Sequence, residues 1–176
     1  MRLLLATVLG GWILGTLFMA FVATQNFRTV DRLLSSPTQE FSHAIAPLGG
    51  QDEARSVLRY LVAELNRLYF SAWGVAQVVF GAAVIVAVVG LRPLDRTALT
   101  IAIVIFAVVL GSLLFSQMLL TLGRSLDFVP RTPPPPALAY FKRLHLTFTV
   151  LDLVKLTLCI WLLIRSTRRI NTATPH

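Results

Sequence analysis

With 56% of its 176 residues hydrophobic and 14% charged, the chain is too apolar for a disordered or ordinary soluble protein and falls in the membrane class. Its formal charge of +8 does not indicate nucleic acid, because the basic residues flank apolar runs, where lipid headgroups and topology account for them. The single cysteine, Cys159, lies inside an apolar run, which excludes an intrachain disulfide and a cysteine-type metal site.

The first apolar run, 3–22, follows Arg2. It is about twice as long as a signal-peptide core and has Phe21 where a cleavage site needs a small residue, so we expect it to be retained as an anchor. Thr7, Gly11 and Gly15 form a small-residue stripe suited to close helix packing. From inside the run and on past its end, Thr16, Ala20, Ala23, Phe27, Val30 and Leu34 recur at spacings of four and three, the pattern of a coiled-coil seam. Ser35, Ser36 and Pro37 break it, and the stretch to Gly50 reads as a loop.

A second helix opens with Asp52 and Glu53 in its first turn, where they complement the helix dipole. Its own seam is Ala54, Leu58, Leu61, Leu65, Leu68 and Ala72, which predicts an antiparallel hairpin over about 23–69. Each arm would stand roughly 18–24 Å above a bilayer at about 1.5 Å per residue. Arg28, Arg32, Arg55 and Arg59 lie on its outer face beside Asp31, Glu64 and Arg67; this is either a solvated face or an interaction surface.

The remaining spans are 70–90, 99–122 and 144–164. Tyr69, Phe70 and Trp73 mark the entrance of the second. The short basic connection around Arg92, Pro93 and Arg96 forces the third to run antiparallel to it. In the connection 123–143, the prolines at 133–136 predict a stiff, extended spacer. The whole is read as one all-α membrane domain, a polytopic four-helix antiparallel bundle with helices 1 and 2 extended as a coiled-coil-like hairpin. Both termini then share one side; the raw count of Lys and Arg favours the loop side as cytoplasmic, whereas the density of Arg in the short connection and the tail favours the terminal side, and the latter is the orientation expected. Fourteen Arg against two Lys suggest a G+C-rich bacterial genome and a bacterial inner membrane.

The last span carries charges. His145, Thr149, Asp152, Lys155 and Cys159 share one stripe, which must face protein or water because charges are costly against lipid. Counting inward from the loop-side ends places Thr16, Gln77, Gln117, Thr149 and Asp152 at roughly 8–12 Å, so that all the helices contribute to one polar layer. Asp152 and Lys155 are spaced to pair on one helix. Two central charges cost about 5–7 kcal/mol on the insertion scale, which roughly offsets the apolar remainder of this span, so it needs the other helices to enter. The pair is therefore read first as a structural lock and second as a proton or ion site.

Catalytic constellations are missing: there is no His-Glu-x-x-His, Cys-x-x-Cys, glycine-rich phosphate loop or Gly-x-Ser-x-Gly. Haem between two histidines is not supported, because His43 is in a loop, His176 is terminal and only His145 projects from a span. No enzyme activity, cofactor or metal is expected. Phe141-x-x-x-His145 opening the last span, together with the long polar first connection, resembles the transmembrane protein 205-like family. That resemblance implies an integral membrane protein without an assigned activity. The expected role is a non-enzymatic bundle or accessory subunit that meets a protein partner, or a second copy, through the hairpin. The rival is a small-molecule or proton-coupled transporter built on the polar layer.

Overall fold

A computed structural model describes residues 1–130 and 132–171, the last three by backbone alone. Arg131, the Arg169 side chain and His176, which entered the charge and histidine readings, lie outside the described residues. The described chain forms α1 (Arg2–Ser35), α2 (Gln39–Ile45), a 3-10 turn (Ala46–Leu48), α3 (Gln51–Val89), α4 (Arg96–Arg124) and α5 (Pro136–Asn171). Four of the helices, α1, α3, α4 and α5, are long and apolar enough to cross a membrane.

These four form a closed ring in which α1 packs on α3 and α5, and α4 packs on α3 and α5. Neighbours run antiparallel, as the contacts of Trp12 with Phe80, Asn26 with Asn66, and Asp95 with Arg165 require. Small residues let aromatic rings in: a β-carbon at Gly15 would overlap the Trp73 ring, and one at Gly81 the Phe106 ring. Gly15, from the predicted packing stripe, therefore receives a side chain and not a helix backbone.

The core is unevenly distributed. Leu5, Leu9 and Trp12 of α1 meet Val84 and Val88 of α3, Ile105 and Val109 of α4, and Cys159 and Leu162 of α5 in one fully buried cluster. All of it lies toward the end of the bundle that holds residue 1 and the α3–α4 connection. A second, small cluster, Val30, Leu34 and Ala54 with Leu58 and Val62 against it, closes the far tip where α1 turns into α3.

Several boundaries differ from the sequence reading. The stretch 37–50 is not all loop: Thr38 caps α2 by accepting a hydrogen bond from Phe41 N at 3.2 Å, and Phe41 and Ile45, one turn apart, pack on the tip cluster. Gly49 and Gly50, at φ +93° and +123°, supply the left-handed turn into α3. The proline run is shorter as a spacer than expected, because Pro136 already opens α5; proline fits a first helical turn, where no N–H is needed. α4 starts at Arg96 because Asp95 caps it, accepting from Ala98 N at 3.2 Å.

The seam of α3 is also rotated. Ala54 is buried and Leu58 partly so, as expected, but the next turns bring Val62 partly inward and bury Asn66, while Leu61 and Leu68 are 54% and 63% exposed. Asn66 accepts a hydrogen bond from Asn26 Nδ2 at 2.7 Å and donates to the Ala23 carbonyl at 3.4 Å. A polar pair across a helix seam fixes register and beats the apolar alternative one position earlier. On α1, Thr16, Val30 and Leu34 are buried and Ala23 and Phe27 half-buried, whereas Ala20 faces outward.

Candidate functional site

Lys155 is the most thoroughly buried charge described, at 2% exposure. It projects from α5 across the bundle, and its ammonium donates hydrogen bonds to Gln77 Oε1 of α3 and to Asp152 Oδ1 one turn earlier on its own helix. The same ammonium lies 6.0 Å from the centroid of the Trp12 ring on α1, within cation–π range. A lysine has three protons, so two carry hydrogen bonds and an aromatic face borders the remainder. Trp12 Nε1 is buried and bonds to no described residue. Cys159, one turn further along α5, is buried beside this cluster.

Of the expected polar layer, Gln77, Asp152 and Lys155 come together. Gln77 is 7% exposed, and the Asp152 side chain keeps 30% of its surface open, so the pair is closed on the lysine side and open on the acid side. Thr16 is buried, but its hydroxyl donates to the Trp12 carbonyl at 2.9 Å. Thr149 is exposed and donates to the His145 carbonyl at 2.9 Å. Gln117 points away from the bundle. Thr and Ser hydroxyls readily bond their own helix backbone, and counting depth along an axis says nothing about which way a side chain turns. His145 is exposed and stacks on Phe141, with centroids 6.1 Å apart and planes 9° apart. It stands ten residues, roughly 15 Å, before Lys155.

Trp12 was missed by the sequence reading because a tryptophan in an apolar run carries no sign of which ion it will meet. Two further ion networks were also missed. At the residue-1 end, Arg165 Nε donates to Asp95 Oδ2 at 3.0 Å, tying the start of α4 to α5. At the other end, Arg67 bridges Glu64 at 2.5 Å and Asp127 at 2.8 Å, with Arg124 3.7 Å from Glu64. Arg67 had been placed on a solvated face, yet its side chain is 11% exposed. The hydrogen bond that Arg67 donates to Asp127 holds its guanidinium pKa above the ordinary value. Its hydrogen bond to Glu64 holds that carboxyl below the ordinary carboxylate range.

The four arginines of the hairpin divide. Arg55 and Arg59 reach Asp31 across the hairpin at 3.0 and 3.5 Å, and Arg59 lies 6.0 Å over the Phe27 ring. Arg28 and Arg32 are exposed.

Between the Lys155 cluster and the tip cluster the bundle is not filled. A cavity of about 380 Å³ is lined by all four long helices, among them Phe27, Asn66, Arg67, Phe70, Ser116 and His145. Among the described residues no group of three His, Cys, Asp or Glu converges as a metal site would require. Comparison with family models, with curated proteins and with solved structures returns no match.

Proposed function

We propose that this chain is a non-enzymatic integral membrane bundle, an accessory subunit that docks a partner protein through its loop-side hairpin. One observation carries the reading. Val57, Leu61, Leu65 and Leu68 of α3 form an outward-facing apolar row, 37–63% exposed. Counted from Arg67, which sits in the loop-side ion network, Leu61 stands roughly 9 Å and Val57 roughly 15 Å farther out. Lipid tails end near such a charged level, so an apolar row beyond it marks an interaction surface. Arg28 and Arg32, exposed on the neighbouring arm, supply a basic rim. In this reading the termini lie in the cytoplasm, the membrane is a bacterial inner membrane, and the likeness to the transmembrane protein 205-like family is retained.

A photo-crosslinking residue placed at Leu61 in native membranes tests the proposal. The expected product is one discrete adduct with another protein, lost from a Tyr60 probe when Leu61→Glu and Leu65→Glu are combined at unchanged protein level. Adducts with lipid alone would overturn it, and self-adducts would assign the row to a homo-oligomer.

A transporter reading draws on the central position of Lys155 and Asp152. Against it, the lysine is enclosed by Gln77, Asp152 and Trp12 and is not among the residues lining the cavity. Liposomes loaded with a pH dye separate the two, since the accessory reading expects no flux.

A further inference from the structure

The loop-side half of the bundle is held open by its own composition. Ala23, Ala63 and Gly123 occupy wall positions where a larger side chain would fill the space, while Phe27, Phe70 and Phe148 supply aromatic surface. Phe70 and Phe148 meet edge to face, with centroids 6.4 Å apart, and His145 lies parallel to Phe141 on the same side. The volume of about 380 Å³ falls within the range of small-molecule sites.

The polar groups on the wall select among ligands. Arg67 is already engaged by both Glu64 and Asp127, so the one cation on the wall is compensated before any anion binds. Asn66 is committed to Asn26 and to the Ala23 carbonyl. The His145 ring and the Ser116 hydroxyl line the cavity and hydrogen-bond to no described side chain or backbone group. Each can donate one hydrogen bond. A wall of aromatic faces with two unengaged donors, whose one cation is already paired, suits a flat, uncharged molecule bearing carbonyl oxygens.

We infer that this cavity is a binding site for a lipid-soluble molecule with a planar, carbonyl-bearing ring, of the quinone class, seated between Phe27, Phe70, Phe141 and Phe148 with its oxygens toward His145 and Ser116. A fatty acid fits the apolar walls, but the one cation its carboxylate could meet there is Arg67, already held by Glu64 and Asp127. A phospholipid brings a phosphate to the same place.

The test uses the full chain in phosphatidylcholine nanodiscs with an azidoquinone photolabel and decylubiquinone as competitor. Saturable labelling within 63–70 and 141–148 is expected. Ala63→Trp, filling one wall, and Ser116→Phe, filling another, should each reduce it at least about tenfold, the equivalent of a good hydrogen bond or more. Val79→Phe, at a position 65% exposed on the outer surface, should leave it intact. His145→Leu should raise the decylubiquinone concentration for half-competition by about tenfold, the worth of one hydrogen bond. Should Ala63→Trp fail to insert, Ser116→Phe decides alone. Labelling spread along the outer face, labelling that survives the filled cavity, or equal competition by oleic acid would each overturn the assignment.

Discussion

At the scale of the residue, Lys155 and Asp152 are unequal partners. The lysine is enclosed, while the acid side chain is 30% exposed, so removing the acid harms the lysine more than itself. Asp152→Leu leaves a buried ammonium with Gln77 and the Trp12 face, and losing one partner of a buried pair costs about 3–5 kcal/mol. Asp152→Leu combined with Lys155→Leu should cost less, because apolar replacement of a whole buried pair is often neutral or better. Thermal unfolding in detergent and the amount of membrane-inserted protein measure both. Abundance of Asp152→Leu equal to wild type would mean that Gln77 and Trp12 suffice to hold the lysine. The i,i+3 spacing made the pair itself legible, since it is local to one helix. Gln77 as its third member was legible only as an apolar-run oddity, because nothing in α3 indicates which helix it will meet.

At the scale of the element, α1 and α3 pack antiparallel, but on a different face of α3 from the one its periodicity offers. Periodicity makes Leu61 the successor of Leu58, whereas the structure turns Val62 inward in its place; the choice was made by Asn66, whose bond to Asn26 at 2.7 Å would be lost in the other rotation. A cysteine pair at Asn26 and Asn66 should therefore close a disulfide under mild oxidation faster than a pair at Phe27 and Leu65. Equal rates from both pairs, read by gel mobility after blocking free thiols, would mean that the arms slide past one another. The leucines turned outward by this register, Leu61, Leu65 and Leu68, continue into Val75, Val79 and Val86 on the same exposed face. One stripe of α3 thus runs from the span surface onto the hairpin without a polar break, which is why it was mistaken for a seam.

At the scale of the whole molecule, the two ends are tied by different chemistry. Asp95 and Arg165 join α4 to α5 at one end, and Glu64, Arg67 and Asp127 join α3 to the turn after α4 at the other. Glu64 is titratable with a known sign: Arg67 holds its carboxyl below the ordinary 4.5. A folded-state pKa that is depressed contributes stability above the unfolded value, and that contribution disappears as pH falls through the folded one. The unfolding temperature in detergent should therefore drop as pH is lowered below about 4.5, the ordinary value for Glu64, and Glu64→Gln should flatten that limb of the profile. An unchanged acid limb in the variant would assign acid sensitivity to other carboxylates. The network also stands on the rim of the cavity through Arg67, so the same charges that fasten the loop-side end leave its interior without net attraction for ions.

The sequence by itself determined four apolar helices, their approximate ends, the antiparallel order that one short connection imposes on the middle two, and an acid–base pair inside the last one. These properties are local: length, hydropathy and i,i+3 spacing along one helix carry them. The tertiary structure alone decided the rotation of each helix, and with it the meeting of Lys155 with Gln77 and Trp12, the outward turn of Gln117 and Leu61, the burial of Arg67 and Asn66, and the unfilled loop-side half. The physical reason is lack of contrast. Where nearly every position on a helix is apolar, hydrophobic periodicity cannot distinguish the face that meets protein from the face that meets lipid. That choice falls to a few polar and small residues whose partners lie on other helices, such as Asn26 with Asn66, Gly15 with Trp73, and Lys155 with Gln77.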